Sequence, residues 1–330
     1  MKTLVVDLQD RVELTRPRIP DVLRVEFVSR EPTAVRAALA DTEILLTSPS
    51  LPVTPALLDA APRLRFIQLP SAGYDKVDLA ATRARGIPVA NAAGANAATV
   101  AEHVFLVAMA LQRRLFEGHA GVAAGEFAAT KSRLMAAGLY ELAGKTLGII
   151  GLGRIGKQVA RRAAAFDLRT LYYDIVRPPP EEEAALQVTF APLDALLAAA
   201  DILTVHVPLD ASTHHLVGER ELARLKPTAL VINAARGPVV DPAPLAQMIE
   251  DGRLGGAAVD VFEEEPAPPT DPLVRLARTG HPRLLLTPHL AGVTSEATAR
   301  GLQQAFDNAA RFARGEPLLD VVNGVAAGGA

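Results

Sequence analysis

Four groups of side chains suited to catalysis stand at the ends of four apolar runs in the sequence. They are His206 in ILTVHVP, Arg236 in ALVINAARG, the acids from Asp260 to Glu265 in AAVDVFEEEP, and His289 in RLLLTPH. Short apolar runs separated by helical patterns are typical of parallel strands. Ligands of open α/β sheets bind outside the carboxyl ends of the strands, so the four groups are predicted to share one edge of a sheet.

These residue types suit hydride transfer to a carbonyl compound. Arginine binds a carboxylate through its planar fork, and histidine can exchange a proton near neutral pH. A carboxylate beside the histidine would favour its protonated form and orient the ring. Spacing alone does not choose between His206 and His289 as the acid/base. The other histidines are predicted to be surface, loop or helix-core residues, namely His103, His119, His214, His215 and His281.

The stretch KTLGIIGLGRIGKQVARR predicts a dinucleotide site, because a strand ends in GLGRIG and a helix follows at once. Gly151 permits a tight turn, Gly153 lets the backbone approach a pyrophosphate, and Gly156 lets the helix pack closely on the strand. The phosphate charge would then meet the free N–H groups of the helix N-terminus.

The cofactor is predicted to be NAD, with NADP the less favoured alternative. Asp174 in LYYD follows the next strand, where an acid would accept hydrogen bonds from the adenosine ribose and repel a 2′-phosphate. Arg177, three residues on, is either a partner for such a phosphate or a solvated loop residue.

Two runs of three glutamates contrast in their context. Glu181 to Glu183 follow a proline run and open a helical pattern, so they are predicted to be solvated. In VFEEEP, Glu265 precedes Pro266 and is the acid predicted to act in catalysis, whereas Glu263 and Glu264 are predicted to face water.

Length and composition favour a globular chain of two domains. The chain has 330 residues, 49% hydrophobic and 22% charged, with a net charge of −3 and no cysteine. The small net charge gives no reason to expect nucleic acid or a membrane as a partner. The lack of cysteine excludes disulfides and thiolate metal sites, and no metal site of another kind is predicted. The start MKTLVVDL reads as a first strand rather than a signal peptide, so a cytoplasmic location is expected.

The elements predicted from periodicity form two sheets. Five strands are expected in the first third, near TLVVDL, RVEFV, EILLTS, RFIQLP and IPVAN. Seven more are expected near KTLGIIG, TLYYD, QVTF, ILTVHV, ALVINA, AAVDV and RLLLT. An amphipathic helix is predicted to start at Thr99 and to end at Arg113 and Arg114. The stretch from Gly118 to Ala143 has no strand pattern and is either an arm that packs on another subunit or a surface excursion.

The motifs resemble those of the D-isomer-specific 2-hydroxyacid dehydrogenases. GKTLGIIGLGRIG, HVPL, INAARGPVVD, DVFEEEP and TPHLAG occur in family order, and SAGYDKVDL and GIPVANAAGANAATVAEH extend the resemblance through the first third. It covers essentially the whole chain, and the glyoxylate/hydroxypyruvate reductase-like branch is favoured.

By this resemblance the catalytic residues are Arg236, Glu265 and His289, and the backbone N–H groups of Ala72 and Gly73 hold the substrate carboxylate. Asp260 would face the nicotinamide carboxamide, although its place at a strand end also suits a structural cap. With the glycine motif included, the predicted cofactor residues are Gly151, Gly153, Arg154, Ile155, Gly156, Asp174, His206, Val207, Pro208, Ala234, Asp260 and His289.

The resemblance also implies the domain organisation. A flavodoxin-like substrate domain would comprise residues 1–98 and 291–330, and a Rossmann nucleotide domain residues 99–290, with the active-site cleft between them. The C-terminal tail would thus return to the first domain, and a homodimer would form through the nucleotide domain.

Departures from the family pattern bear on the substrate. The loop TSPSLPVT (47–54) lacks Arg and Lys, and the chain ends soon after VVNGV, which disfavours a phosphoglycerate-type enzyme. Formate dehydrogenases carry Gln where this chain has Glu265, so a 2-oxo acid fits better. The sequence therefore predicts NAD-dependent interconversion of a small 2-oxo acid and its D-2-hydroxy acid. The alternatives are an NAD(H)-sensing corepressor-like protein and a phosphite- or phosphoglycerate-type dehydrogenase.

Overall fold

The chain divides into two compact units. A computed structural model describes residues 1–48 and 51–326. Unit 1 comprises Met1–Asn96 and the residues from Val293 onward, and unit 2 comprises Ala97–Gly292. Each unit contains one parallel sheet, so the predicted α/β class with two doubly wound sheets is confirmed.

The sheet of unit 1 is built from the five strands predicted in the first third. They are β1 (Lys2–Val6), β2 (Arg24–Val28), β3 (Ile44–Thr47), β4 (Phe66–Gln68) and β5 (Val89–Ala90). Their order is β2-β1-β3-β4-β5, and all pairs are parallel. The connecting helices are α1 (Gln9–Thr15), α2 (Pro32–Leu39), α3 (Pro55–Asp59) and α4 (Leu79–Ala84). Every residue of β3 is buried, as expected for a strand covered on both faces.

The sheet of unit 2 has seven parallel strands, again within the predicted segments. They are β6 (Thr146–Ile150), β7 (Arg169–Tyr173), β8 (Val188–Phe190), β9 (Ile202–Val205), β10 (Leu230–Asn233), β11 (Gly256–Val259) and β12 (Leu284–Leu286). The order is β12-β11-β10-β9-β6-β7-β8, so the direction of winding reverses between β6 and β9. Ligands of open α/β sheets bind beyond the carboxyl ends of the strands at such a reversal.

Nine helices connect or precede these strands in the described part of unit 2. They are α5 (Ala97–Gln112), α6 (Leu115–Ala123), α7 (Phe127–Ala137), α8 (Arg154–Ala163), α9 (Pro180–Leu186), α10 (Leu193–Ala199), α11 (Glu219–Leu222), α12 (Pro242–Glu250) and α13 (Pro272–Ala277). Helix α5 starts two residues before the predicted Thr99. Most of its side chains are buried, so it is a core helix more than an amphipathic one.

The stretch from Gly118 to Ala143 is largely helical, through α6 and α7. The two helices pack closely at Gly121, where a Cβ would lie 2.0 Å from the Thr130 hydroxyl oxygen. Large apolar side chains on α6 and α7 remain exposed, including Phe116 (60%) and Phe127 (65%).

The C-terminal helix α14 (Ser295–Ala313) belongs to unit 1. Its Phe306 and Ala309 join a buried cluster with Val5 and Phe66 of the sheet. The buried Asn308 donates to the Gln68 side chain at 2.7 Å. The last helix therefore completes the core of unit 1. Within residues 1–48 and 51–326, every helix falls short of the length or hydropathy that a membrane span requires.

Candidate active site

The turn after β6 needs glycine at its first position. Gly151 has φ +94°, a conformation that side chains other than glycine rarely adopt. A Cβ there would lie 2.8 Å from the carbonyl carbon of His206 and 2.9 Å from a Val207 methyl group. The turn is thus packed against the end of β9, where the winding of the sheet reverses.

The other two glycines of the motif differ in their surroundings. A Cβ at Gly156 would lie 2.2 Å from the Gly151 carbonyl oxygen, so helix α8 approaches the turn as closely as backbone allows. A Cβ at Gly153 would meet nothing within 4 Å, which leaves open space before the first helical residues, Arg154 and Ile155. Gly153 caps α8 without a side chain, so the first turn can offer N–H groups to a pyrophosphate. These residues fit a bound dinucleotide.

Asp174 is fixed beside the glycine turn. One carboxylate oxygen accepts from the Leu152 N–H at 2.7 Å, and the other accepts from the Val176 N–H at 3.0 Å. The acid directly follows β7, where an adenosine ribose would lie. Arg177 is turned toward the body of the unit, because it pairs with Glu183 at 2.9 Å and stacks over the Phe190 ring.

The structure distinguishes the two histidines that the sequence left open. Nδ1 of His206 is buried without a partner among the described residues, and Nε2 lies 2.9 Å from the Thr204 hydroxyl oxygen. Burial lowers the pKa of His206 to about 3, so its ring is neutral at physiological pH. A neutral imidazole is a poor proton donor, so this environment disfavours His206 as the acid/base.

His289 and Glu265 form a hydrogen-bonded pair. The ring Nδ1 of His289 lies 2.8 Å from Oε2 of Glu265, and both side chains keep access to solvent. The other carboxylate oxygen of Glu265 accepts from the Phe262 N–H at 3.1 Å. Glu265 is therefore held at both oxygens, and the pair leaves Nε2 of His289 for a reacting group.

Asp260 organises the loop that carries His289. Its carboxylate accepts hydrogen bonds from the Thr287 hydroxyl, from Leu290 N–H at 2.9 Å and from Ala291 N–H at 2.8 Å. Its carbonyl oxygen accepts from His289 N–H at 2.7 Å. His289 itself has φ +54°, an unfavourable conformation for a side-chain residue that these bonds maintain. The cap interpretation of Asp260 thus has direct geometric support.

The loop of Arg236 packs against the loop of Glu265. The buried Asn233 shapes it by donating to Arg236 O at 3.0 Å and accepting from Ala235 N–H at 3.1 Å. A Cβ at Gly237 would lie 2.0 Å from the carbonyl carbon of Phe262 and 2.4 Å from Glu263 N. The two loops are therefore in backbone contact, which couples the placement of Arg236 to that of Glu265.

The remaining predicted cofactor residues border this edge of the sheet. Ala234 follows β10 and packs with Val100 and Ala291 in a small buried cluster, with Ile155 against it. Val207 packs into the core of unit 2, whereas Pro208 is exposed.

The predicted substrate-binding residues lie in unit 1, in the loop after β4. Ala72 O accepts from the Asn91 side chain at 2.6 Å, so the backbone beside Gly73 is anchored. The Ser71 hydroxyl and the other amide atom of Asn91, its Oδ1, are buried without a partner among the described residues. Buried polar atoms of this kind suit a polar ligand. In the loop 47–54, Pro49 and Ser50 lie outside the described residues.

The expectation of solvated glutamates is wrong in part. Glu263 is exposed as expected, although its Oε1 also lies 2.7 Å from Nε2 of His215. Glu181 is likewise exposed, but Glu182 and Glu183 are partly buried. Glu182 pairs with Lys157 at 2.6 Å, and Glu183 binds Arg177 and the Tyr172 hydroxyl. Helix α9 brings these acids against α8 and β7. The partner of Glu263 is 48 residues away in the chain, so no local pattern in the sequence indicates it.

Comparison with known proteins agrees with this architecture. Residues 105–291 match the family model of the D-isomer specific 2-hydroxyacid dehydrogenase, NAD binding domain. A glyoxylate reductase of Korarchaeum cryptofilum is 38% identical over 283 residues, which cover 86% of this chain and 83% of that protein. A D-3-phosphoglycerate dehydrogenase of Archaeoglobus fulgidus is 35% identical over 85% of this chain, but the match covers 51% of that longer protein.

Solved structures extend the likeness to both units. A D-lactate dehydrogenase from Aquifex aeolicus, complexed with NAD and lactic acid, has a TM-score of 0.81 and 28% identity, covering 95% of this chain and 96% of that one. The fold and the glycine turn define an NAD-binding oxidoreductase. The chain belongs to the D-isomer specific 2-hydroxyacid dehydrogenase family.

Proposed function

We propose that this protein reduces small 2-oxo acids to D-2-hydroxy acids with NADH, and that glyoxylate is the first substrate to test. The observation that carries the proposal is the pair of His289 and Glu265, 2.8 Å apart beyond the carboxyl ends of the unit 2 strands. The relatives named glyoxylate reductase support the substrate class.

His289 is the proposed proton donor. Bound NADH supplies the hydride that C2 of the 2-oxo acid receives, and a proton must reach the carbonyl oxygen to complete the hydroxyl group. Glu265 holds Nδ1 of His289, so Nε2 is the ring nitrogen that donates this proton. The hydrogen bonds that Asp260 accepts from the backbone of residues 289–291 fix the loop from which the His289 side chain projects.

Arg236 is proposed to bind the substrate carboxylate and to polarise the carbonyl group. Its guanidinium is positioned by a short bond from Nη1 to Ala235 O at 2.6 Å and by the packing of Gly237 on Phe262. A guanidinium suits this task, because it can contact two oxygens at once. In unit 1, the N–H groups of Ala72 and Gly73 are proposed to hold a substrate carboxylate.

NAD rather than NADP is the proposed substrate of the nucleotide site. Asp174, anchored to the glycine turn, would repel a 2′-phosphate, and the pairing of Arg177 with Glu183 leaves that cation directed elsewhere. The other proposed contacts are those of the glycine motif, of His206 to Pro208 and of Ala234.

The two units are proposed to act as the substrate and nucleotide domains, close to the predicted ranges 1–98 with 291–330 and 99–290. A homodimer through the nucleotide domain is also proposed. It is supported by exposed apolar side chains along α5 to α7, among them Leu106, Phe116, Phe127 and Met135. Size-exclusion chromatography with light scattering tests the dimer, which the double variant Phe116→Asp, Phe127→Asp should dissociate.

The proposed activity is tested by following NADH and NADPH oxidation with glyoxylate, hydroxypyruvate, pyruvate and 3-phosphohydroxypyruvate. Turnover is expected with the unphosphorylated acids, and kcat/KM is expected to be higher with NADH than with NADPH. Preference for the phosphorylated acid would overturn the substrate class. No turnover with any acid, together with NADH-dependent self-association, would favour a nucleotide sensor, and NAD reduction by phosphite would favour an inorganic reductant.

A further inference from the structure

A cluster of potential metal ligands lies outside the proposed catalytic groups, between two loops of unit 2. One nitrogen each of His214 and His215 and one carboxylate oxygen of Glu263 lie within 4.8 Å of one another. The histidines belong to the loop between β9 and α11, and Glu263 precedes the proposed catalytic Glu265 by two residues. Imidazole and carboxylate groups are ligands that Zn²⁺ and similar cations accept.

The backbone of the loop places both imidazoles on the same side. Neighbouring side chains in extended backbone point to opposite faces, but His215 has φ +50°. The two rings consequently stack, with centroids 4.1 Å apart. The His215 N–H donates to Pro238 O at 2.7 Å and the His214 N–H to Asp210 O at 3.0 Å, which fixes this turn.

A carboxylate behind His215 gives the ring the orientation of a metal ligand. Nδ1 of His215 lies 3.5 Å from Oδ2 of Asp241, while Nε2 faces Glu263. Asp241 is held in turn, since it caps α12 by accepting from Ala243 N–H at 3.1 Å. Histidines that bind metals commonly turn their second ring N–H toward a carboxylate, and the 3.5 Å contact with Asp241 places a carboxylate on that side of His215.

We propose that His214, His215 and Glu263 bind one divalent transition-metal cation of the Zn²⁺ type, with Asp241 orienting His215 and water completing the coordination. Donor atoms around a tetrahedral Zn²⁺ lie roughly 3.3 Å apart, given bonds of about 2.0–2.1 Å. Nε2 of His215 and Oε1 of Glu263, now 2.7 Å apart, would separate by roughly 0.6 Å to admit the cation, and the exposed His214 can rotate to close its own distance. Mg²⁺ and Ca²⁺ are disfavoured, because they prefer oxygen ligands alone.

The bound cation would join the loop of residues 209–217 to the loop of Glu265. Without the cation, the hydrogen-bonded pair of His215 and Glu263 links the two loops. Binding should therefore raise the thermal unfolding midpoint of the full chain, because a ligand of the folded state stabilises that state. The cation would bind these three side chains whatever the substrate is and whether or not His289 donates the proton.

The test uses the full chain purified without a histidine tag and freed of metal by a chelator that is then removed. Calorimetric titration with Zn²⁺ is expected to show one site per chain at micromolar concentrations, and Co²⁺ is expected to give the visible absorption of a four-coordinate site. His214→Ala and Glu263→Gln should each weaken Zn²⁺ binding at least tenfold and abolish the rise of the unfolding midpoint. These two changes alter exposed side chains, so the variants should fold.

Two matched controls separate this site from adventitious binding. Glu264→Gln changes the adjacent exposed acid, and His119→Ala removes an exposed histidine of α6. Both variants should bind Zn²⁺ with unchanged affinity. The proposal is overturned if the parent protein shows no stoichiometric binding, or if His214→Ala and Glu263→Gln bind as the controls do.

Discussion

Replacing Gly237 by alanine should disable the proposed active site without touching a reacting group. The added Cβ would lie 2.0 Å from the carbonyl carbon and 2.1 Å from the carbonyl oxygen of Phe262. Carbon atoms in contact prefer about 3.5–4.0 Å, so the loops of Arg236 and Glu265 must move apart by more than about 1 Å. Both contacts are with backbone, so rotation of a side chain cannot relieve them.

The expected loss of rate follows from that displacement. Displacing catalytic groups by about 1 Å can lower the reaction rate on the order of 100-fold, so kcat/KM for glyoxylate should fall by roughly that factor. Overpacking typically costs about 1–3 kcal/mol of stability, which for a domain of this size lowers the unfolding midpoint by several degrees.

The assay is NADH oxidation at saturating and limiting glyoxylate, with NADH affinity measured separately by fluorescence. Gly118→Ala is the matched control, because a Cβ there would meet only Leu134 at 3.5 Å, an ordinary contact. A Gly237→Ala variant with kcat/KM within threefold of the parent would refute the coupling of the two loops.

Three further substitutions test separate parts of the site. The pKa of His206 is about 3 in the folded state and about 6.5 in the unfolded state, so the unfolded state binds more protons below pH 6.5 and the free energy of unfolding decreases as the pH is lowered. His206→Gln should reduce the loss of stability between pH 7 and pH 5 by about 2 kcal/mol, measured by urea denaturation. An unchanged pH dependence would contradict this. In Asp260→Asn, the side-chain amide N–H would face a backbone N–H donor, so that hydrogen bond could not form. The kcat should drop at least tenfold and the unfolding midpoint by a few degrees. Values equal to those of the parent would show that Asp260 does not position the loop. Asp174→Ser should shift the NADPH to NADH ratio of kcat/KM upward at least tenfold, and a constant ratio would show that selectivity lies elsewhere.

The strands could be predicted from sequence because burial on both faces of a sheet requires a continuous run of apolar residues. Strands such as ILLT at Ile44–Thr47 are continuous apolar runs bounded by polar residues, and parallel sheets demand that pattern. The glycine turn could also be predicted, because the backbone geometry that requires Gly151 and Gly156 is local to a stretch of six residues. The sequence predicts the start of helix α5 two residues too late, because helix ends depend on contacts that periodicity does not report.

The choice between His206 and His289 could not be made from spacing. Both follow strands, and what separates them is burial of one ring and a carboxylate partner of the other, supplied by Glu265, 24 residues earlier in the chain. The same limit explains two of the glutamates, because Glu182 and Glu263 meet their partners Lys157 and His215 only when separate segments fold together. Long-range pairing of charged side chains leaves no periodic pattern to read.

The proposal as a whole depends most directly on His289 as the proton donor. The decisive measurement is kcat for glyoxylate reduction by the His289→Asn variant, with the NADH dissociation constant measured on the same preparation. The account predicts that kcat falls by about 10²–10⁴-fold while NADH affinity changes by less than about threefold. Turnover at the parent rate with NADH binding intact would contradict it.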